Sequence, residues 1–463
     1  MVYMTGPTLA QDEGGGLRVS LGVQQSFGTS DNLSLGVPGS LANPEEGRTT
    51  LSTTDLALNV SSETRTQKFN FLIGGALRFG SIPSGSRVQT GFVDPAAALH
   101  YSIEAARARL SLDASYSESA LSQSRPLWDF RDEDNVITPP SDLANLQGTG
   151  DRQASNFSFD YEAGIDAPIG FRLQATRDSV KYINATTAAP TDYDRANVKL
   201  STYFRFSPGT AGVIDLSASR YNNNVVGTTE DSRSIGVGFD RELATGAMVS
   251  ARVGYTDGDP NNTGGTAQSS SGVTGSLNYS QPTPNGSFGA SYALTRDASG
   301  DVDTLSVQRS IILPTGSLAF NVGASSLQGG SPELIGGLSW QHQMPTSTIS
   351  LSLDRRVQVD SNNDNVFVTS LAGQFRHQVN AQSSIFANVS YFLTDGSSTS
   401  NDVARTDLSM GYSYELTSDW DLNAGVNLTT RDETLVGSPL SPTLGKGTSN
   451  GVFVSLSRKF DLN

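Results

Sequence analysis

The sequence lacks cysteine, and it has no long apolar run. Because none of its 463 residues is a cysteine, the chain has no disulfides and no thiol ligands or nucleophiles. None of its apolar runs reaches the 18 or more residues that are read as a membrane-spanning helix. If the chain crosses a bilayer, it therefore crosses with β-strands, which are the other way of satisfying backbone polar groups in lipid.

Basic residues are outnumbered as well. The chain has 31 Lys and Arg residues against 46 Asp and Glu residues, which gives a formal net charge of −15. Binding to nucleic acid depends on clustered Lys and Arg side chains that neutralise phosphates. We therefore expect no nucleic-acid partner.

Histidine is as scarce as tryptophan, with three residues of each. None of His100, His342 and His377 has a serine and an acidic residue at the spacing of a catalytic triad. Residues 297–303 and 360–364 hold closely spaced oxygen ligands of the kind that suit calcium. Neither run includes a distal glutamate, so solvated hairpin tips explain them better. With no zinc ligand set and no nucleotide fingerprint, we expect no enzymatic activity, no metal and no cofactor.

What the sequence does contain is apolar residues at every second position. Hydrophobic residues make up only 36% of the chain, below the roughly 45–50% typical of globular proteins, but their spacing is regular. In the first such stretch, Leu and Val at positions 17, 19, 21 and 23 alternate with Arg18, Ser20 and Gly22. This period of two is typical of a strand with one apolar face and one hydrated face.

Alternating segments of about ten residues or more follow one another to the end of the chain, joined by connections that are short and long in turn. Counting them gives about 22 strands, with a range of roughly 18–24 because element boundaries are poorly defined by sequence. The pattern predicts an all-β chain forming a single transmembrane up-and-down antiparallel β-barrel, with short periplasmic turns and longer extracellular loops. A soluble propeller is the main rival, but it would repeat a sequence motif in each blade.

The last stretch, residues 450–460, reads NGVFVSLSRKF. Only Arg458 interrupts its apolar face, which consists of Val452, Val454, Leu456 and Phe460. The stretch resembles the closing strand of a bacterial outer-membrane β-barrel, although residues 461–463 follow the terminal aromatic. The resemblance implies that this strand pairs with the first one and is recognised by the barrel-assembly machinery. It also implies a location in the bacterial outer membrane, in contact with its lipid and lipopolysaccharide.

Over residues 17–460 the chain resembles proteobacterial outer-membrane porins, among them barrel proteins associated with exopolysaccharide export. This resemblance contains no residue-specific motif, so no functional residue is transferred from it. Outside the barrel, residues 1–10 end in small residues like those of a signal peptide, without the preceding basic and apolar regions. We interpret residues 1–10 as the remnant of a signal peptide, residues 11–16 as a periplasmic segment and residues 461–463 as a tail.

Many charged residues alternate with the apolar ones and are predicted to line the lumen. An Arg or Lys on the lipid face at mid-bilayer costs about 2–4 kcal/mol, so the inward assignment is strongly favoured. The predicted pore-lining residues are Arg78, Arg109, Asp113, Arg172, Arg205, Asp215, Arg252, Asp354, Arg376, Arg405, Asp407 and Glu415. Their mixed signs indicate internal ion pairing and a hydrated lumen rather than strong ion selectivity.

The longest connection, residues 122–152, is the candidate for a constriction. It holds two aromatic residues and a run of charge, namely Trp128, Phe130, Arg131, Asp132, Glu133 and Asp134. We predict that this connection folds into the lumen. The alternative is an external cap or a partner-binding site.

Two functions fit these features. The first is an outer-membrane channel for the passive passage of small hydrophilic solutes or saccharides. The alternative is a structural or polysaccharide-export partner barrel whose lumen is filled by a separate lipoprotein or periplasmic component. The sequence shows no amino-terminal plug domain, which disfavours an active siderophore transporter.

Overall fold

The structure, a computed structural model, describes residues 16–40, 44–84, 86, 88–122, 125–132, 136–143, 146, 149–185, 191–224, 227–261, 271–297, 299–395, 402–434 and 445–462. Within these residues the chain forms 22 strands and one short 3-10 helix, Leu127–Phe130. In this described part, no helix is long and apolar enough to cross a membrane.

The strands follow the chain order around the barrel. They are β1 (Leu17–Ser30), β2 (Thr49–Glu63), β3 (Gln67–Ser81), β4 (Gly91–Ala105), β5 (Ala108–Ala120), β6 (Asp151–Ala163), β7 (Ile169–Ile183), β8 (Tyr193–Ser207), β9 (Thr210–Asn223), β10 (Thr228–Glu242), β11 (Met248–Asn261), β12 (Gly272–Thr283), β13 (Gly286–Asp297), β14 (Gly300–Leu313), β15 (Gly316–Leu327), β16 (Glu333–Gln343), β17 (Ser347–Val359), β18 (Asn365–Asn380), β19 (Ser383–Asp395), β20 (Asp402–Thr417), β21 (Trp420–Thr434) and β22 (Gly445–Asp461).

Each strand pairs antiparallel with its neighbours in sequence, and β1 also pairs with β22. In this closing pair Leu21 lies opposite Phe460 and Phe27 lies opposite Val454. The barrel is therefore closed and leaves no free sheet edge, as strands in lipid require. The predicted all-β up-and-down barrel of 22 strands is confirmed.

The connections differ between the two ends of the barrel. At the end where both β1 begins and β22 ends, the ten turns have 2–5 residues each, whereas the opposite end carries connections of up to 30 residues. Short turns mark the periplasmic side and long loops mark the outside. The longest connection covers residues 121–150, because β6 begins at Asp151. Arg152, which the sequence pattern places in the connection, therefore belongs to β6.

The outer wall carries the apolar half of the alternation. Large apolar side chains remain highly exposed there, including Ile235 at 57%, Leu277 at 52% and Val322 at 54%. Such a continuous apolar surface on a closed barrel is the surface that a bilayer covers. The chain is a multi-pass β-barrel of the bacterial outer membrane.

One cation on this wall is held between aromatic rings near the periplasmic end. The guanidinium carbon of Arg458 lies 5.3 Å from the ring centre of Trp420 and 4.4 Å from that of Phe460. Cation–π contacts of this kind offset part of the cost of a charge at the membrane interface. They explain how Arg458 can interrupt the apolar face of β22.

Candidate functional site

The predicted pore-lining charges lie on the opposite face of the strands from the exposed apolar side chains, and most of them are paired. On β8 to β11 a chain of ion pairs crosses four strands. Lys199 Nζ lies 3.7 Å from Asp215, Arg252 Nε lies 3.5 Å from the same carboxylate, and Arg252 Nη2 lies 2.9 Å from Asp240. This wall therefore presents balanced charge rather than a field of one sign.

Other predicted lining residues are also bound to the wall. Arg172 forms a two-pronged ion pair with Asp160, and Arg356 pairs with Asp354. His100 Nδ1 lies 2.6 Å from Asp113. These contacts join side chains on adjacent strands, or side chains two residues apart on one strand. They therefore stiffen the wall and leave few unpaired charges facing the lumen among the described residues.

Arg78 and Arg205 differ from this pattern because their guanidinium groups form hydrogen bonds that hold neighbouring parts of the wall together. Arg78 is only 2% exposed and donates to Asp94 at 2.6 Å. Arg205 donates to the carbonyl oxygens of Gly164 and Ala167 at 2.8 and 2.9 Å, which ties β8 to a periplasmic turn. The remaining predicted lining residues are Arg109, opposite Glu162, Arg376, opposite Thr348, and Glu415, opposite Asp421.

The 121–150 segment, which means residues 121–150 as far as they are described, contacts charged side chains on β20 and β21. The backbone N–H of Leu127 donates to Asp407 Oδ2 at 2.7 Å, and Arg405 donates to the carbonyl oxygen of Arg125. Arg431 Nη1 donates to the carbonyl oxygen of Leu143 at 3.3 Å. These acceptors and donors belong to the strand face that is predicted to line the lumen, so the segment lies against the inner wall.

An apolar cluster also holds the 121–150 segment against the inner wall. Leu127, Ile137 and Leu143 of the segment are at most 2% exposed, and Trp128 and Leu146 pack beside them. Their partners are inward-facing residues of β18 and β19, namely Val366, Val368, Ala372 and Phe392. Complete burial of three large aliphatic side chains is worth roughly 1.5–3 kcal/mol each, so this cluster dominates the attachment.

Ser141 and Asp142, which lie between Ile137 and Leu143 in the chain, attach the segment to β6, β7 and β8. Arg152 donates to both oxygens of Asp142 at 2.6 and 2.9 Å, and Tyr182 donates to the same carboxylate. Ser141 Oγ lies 3.0 Å from the hydroxyl of Tyr193. Asp142 is fully buried, with a side-chain exposure of 0%, and three hydrogen bonds from its two partners, Arg152 and Tyr182, satisfy the charge.

These two attachments lie on opposite sides of the barrel. Counted through the closing pair, β7 and β19 are ten strand steps apart in a ring of 22. Asp142 binds Arg152 and Tyr182, and the next residue, Leu143, accepts a hydrogen bond from Arg431 and packs in the cluster on β18 and β19. Because consecutive Cα atoms are about 3.8 Å apart, both walls lie within side-chain reach of one stretch of the segment, and the section is flattened there. The segment therefore crosses the section near the extracellular end.

A second contact crosses the barrel beside it. The turn between β17 and β18, residues 360–364, reaches the inner face of β8, β9 and β10. Tyr221 donates to the carbonyl oxygen of Ser361 at 2.6 Å, Arg195 donates to that of Asp360 at 3.2 Å, and Asn363 donates to Glu230 at 2.6 Å. Together the turn and the 121–150 segment narrow the extracellular mouth.

The residues that were predicted to form the constriction have distinct local contacts. Arg131 stacks over the Trp128 ring at 4.3 Å, and Arg125 lies 5.2 Å from the ring centre of Phe130. Asp132 accepts a hydrogen bond from the backbone of Val136 at 2.8 Å. Partial burial lowers the pKa of Arg131, and the neighbouring Asp132 opposes this effect. Glu133 and Asp134 lie outside the described residues.

Sequence reasoning missed the apolar patch on the inner wall. The run Val366, Phe367, Val368 breaks the alternation, because both faces of β18 are apolar there. It also missed Arg431 and Glu433, an ion pair at 3.2 Å with both side chains at most 5% exposed. An inward-facing apolar patch of this kind needs a covering segment. Together with a long connection elsewhere in the chain, it is the sequence feature that could have indicated a segment folded into the barrel.

Comparison with known proteins gives a fold and no family. The sequence matches no protein-family model, and no curated protein matches it significantly. Solved structures with a similar fold include the FrpB iron transporter from Neisseria meningitidis, with 9% identity, a TM-score of 0.56 and coverage of 96% of this chain and 81% of that one. The siderophore receptor PirA from Acinetobacter baumannii has 8% identity, a TM-score of 0.54 and coverage of 97% and 81%.

A variant of the ferric enterobactin receptor PfeA from Pseudomonas aeruginosa, in complex with enterobactin, has 11% identity and a TM-score of 0.51, with coverage of 97% of this chain and 82% of that one. At such low identity the similarity concerns the fold. It agrees with the strand count and the closure described above: this chain has the fold of a large outer-membrane β-barrel.

Proposed function

We propose that this outer-membrane barrel is a transport channel for the passive passage of small hydrophilic solutes or saccharides. The observation that carries this proposal is the 121–150 segment, which is attached to both sides of a polar lumen without contributing a folded domain. A segment of this size narrows the passage and so sets an upper limit on solute size. Its aromatic and acidic residues, Trp128, Phe130 and Asp132, belong to this constriction.

The composition of the wall supports hydrophilic solutes of low net charge. The paired charges on β8 to β11 leave little net field, and the inner face of β12 to β15 is rich in hydroxyl groups. Ser291 and Ser306 form a hydrogen-bonded pair at 2.7 Å, as do Ser287 and Ser310. Hydroxyl and amide groups exchange hydrogen bonds readily with water and sugars, so such a wall suits uncharged polyols and short saccharides.

Planar-bilayer recording of the purified protein tests this proposal. We expect discrete, ohmic conductance steps with a reversal potential close to zero in a salt gradient, because cations and anions both meet paired charges on the wall. Maltose-series saccharides should reduce the conductance in proportion to their concentration and size. The absence of conductance steps, or strong selectivity for ions of one sign, would contradict the proposal.

A second candidate is a barrel whose lumen is filled by a separate lipoprotein or periplasmic component. The strand count favours it, since barrels of about 22 strands are usually plugged. The solved structures of similar fold are named as an iron transporter and as siderophore receptors, so a plug-dependent transporter belongs to the same alternative. Mild purification from outer membranes should then yield a stoichiometric second component, and its removal should open the channel. For either function, we propose that the barrel-assembly machinery recognises β22.

A further inference from the structure

Cationic side chains cluster on the outer wall of the barrel, on β7 to β10. Arg177 and Lys181 share the face of the exposed residues Ile169 and Phe171 on β7. Arg220 on β9 and Arg233 on β10 share the faces of Leu216 and Ile235 in the same way. Arg177 and Arg220 form ion pairs on this face with Asp194 and Asp231. Charges on this face do not reach the lumen, so the exposed cations are available to groups outside the barrel.

The position of these residues along the strand places them at the edge of the bilayer. Arg177 lies eight residues beyond Ile169, at the periplasmic start of β7, which corresponds to roughly 26 Å of strand or about 20 Å along the membrane normal at a tilt of about 40°. Lys181 lies about 10 Å higher on the same estimate. With an apolar band about 25 Å tall, Arg177 reaches its outer boundary and Lys181 lies in the headgroup layer of the outer leaflet.

A pocket of about 390 Å³ opens at this level between β5, β6 and β7. Lys181 and Arg177 form its β7 side, and Tyr116 and Phe157 provide its aromatic surface. Gln153 lies opposite Lys181 in the β6–β7 pair. Glu118 accepts hydrogen bonds from the Tyr116 hydroxyl at 3.0 Å and from the Gln153 amide at 2.8 Å. These two bonds fix the polar groups of the pocket before any ligand arrives.

The two cations of the pocket are available to an anion. Arg177 pairs with Asp194 at 2.6 Å, but its side chain is still 64% exposed. Lys181 is exposed and has no ion-pair partner among the described residues. Cations at a surface with accessible donors are typical of sites for phosphate groups, and aromatic and amide side chains beside them provide contacts for a sugar ring.

We propose that this pocket binds the phosphorylated sugar headgroup of a lipopolysaccharide molecule in the outer leaflet. Lys181 and Arg177 bind its phosphates, Tyr116 and Gln153 contact the sugar, and the acyl chains lie on the apolar wall below Phe157. The proposal rests on the outer-membrane location and is independent of solute transport. A site of this kind would hold one ordered glycolipid against β5 to β7.

Binding of purified lipopolysaccharide to the refolded full chain in detergent, followed by native mass spectrometry and by titration, tests the site. Exchanging both cations (Arg177→Gln with Lys181→Gln) should weaken binding about tenfold or more, since each cation near an anionic lipid surface contributes about one decade or less. Asp194→Asn should tighten binding, because it frees Arg177 from its competing carboxylate. The matched control, Arg296→Gln with Lys446→Gln, removes two cations of the outer wall far from the pocket and should leave the affinity unchanged.

Lipopolysaccharide whose phosphates have been removed enzymatically should bind the wild type as weakly as the intact form binds the double variant, and millimolar inorganic phosphate should compete only weakly. Equal affinity of the double variant and the wild type, or equal affinity for the dephosphorylated form, would overturn the proposal. Heat-modifiable gel mobility verifies that each variant is folded. Channel conductance should be the same in all variants, so failure of this site and failure of the transport proposal remain distinguishable.

Discussion

Excision of residues 122–149, with an Asn-Gly turn joining Leu121 to Gly150, should raise the single-channel conductance several-fold. The ends of the excised segment are already adjacent, because the N–H of Leu121 donates to the carbonyl oxygen of Gly150 at 2.9 Å and β5 pairs with β6 up to Ala120 and Asp151. Asn-Gly favours the two-residue turns that join antiparallel strands. The 22 strands should therefore still form a closed barrel, and the lumen should no longer contain the segment.

The expected increase follows from the position of the segment inside the barrel, where it contacts both the β6–β7 wall and the β18–β21 wall. A control excision in the β15–β16 connection, where Asn-Gly replaces residues 328–332, removes residues at the same end of the barrel. Their hydrogen bonds are to the same connection or to the adjacent β14, as between Ser326 and Gly330 and between Gln328 and Asp301. It should leave the conductance near that of the wild type. If excision of residues 122–149 also leaves it unchanged, the segment is an external cap and the constriction hypothesis is wrong.

Asp407→Ala should release the β20 side of the segment. Arg405 and Asp407 are 3% and 7% exposed and form an ion pair beneath the segment, and Asp407 also accepts the N–H of Leu127. Removing one partner of a buried pair leaves an uncompensated charge and costs about 3–5 kcal/mol. We expect the ratio of attached to released segment to fall by roughly a hundredfold or more, seen as fluctuations towards a higher conductance and as rapid proteolysis within residues 121–150.

The matched control is Glu415→Ala, on the same face of the same strand but near the periplasmic turn. Because Glu415 lies ten residues from Arg405 and opposite Asp421, its loss should change neither protease sensitivity nor current fluctuations. If the Asp407→Ala channel shows no added current fluctuations and its 121–150 segment resists protease, the role of this ion pair is contradicted. General unfolding is distinguished by the loss of heat-modifiable mobility, which the Asp407 variant should retain.

The barrel could be predicted from sequence because the alternation of apolar and polar residues is a local property of each strand. Residues 450–460 show this directly: their apolar face predicted a closing strand, and β22 pairs with β1. The inward direction of Arg252 and Asp215 followed from the same parity. Their mutual contact did not, because parity fixes the face of a residue and not its partner on the next strand.

The attachment of the 121–150 segment to β18, β19, β20 and β21 depends on contacts between residues more than 200 positions apart. Nothing near Leu127 in sequence indicates that Asp407 and Phe392 are its partners, so the segment could be predicted to fold inward or outward. The structure adds a physical reason for the inward position: Val366 and Val368 leave an apolar patch on a wall that otherwise faces water, and Leu127, Ile137 and Leu143 cover it. The role of the segment in transport stays a prediction.

Cysteine cross-linking of Leu127 to Phe392 tests the central claim, that the 121–150 segment lies inside the barrel, most directly. The native chain has no cysteine, so the double variant Leu127→Cys with Phe392→Cys contains only the two new thiols, both at positions that are at most 2% exposed and in one cluster. A short thiol cross-linker applied to intact outer membranes should join them in most molecules. Leu127→Cys with Leu393→Cys, where the second thiol points to lipid, should not cross-link. Equal cross-linking in both pairs, or none in the first, would contradict the account.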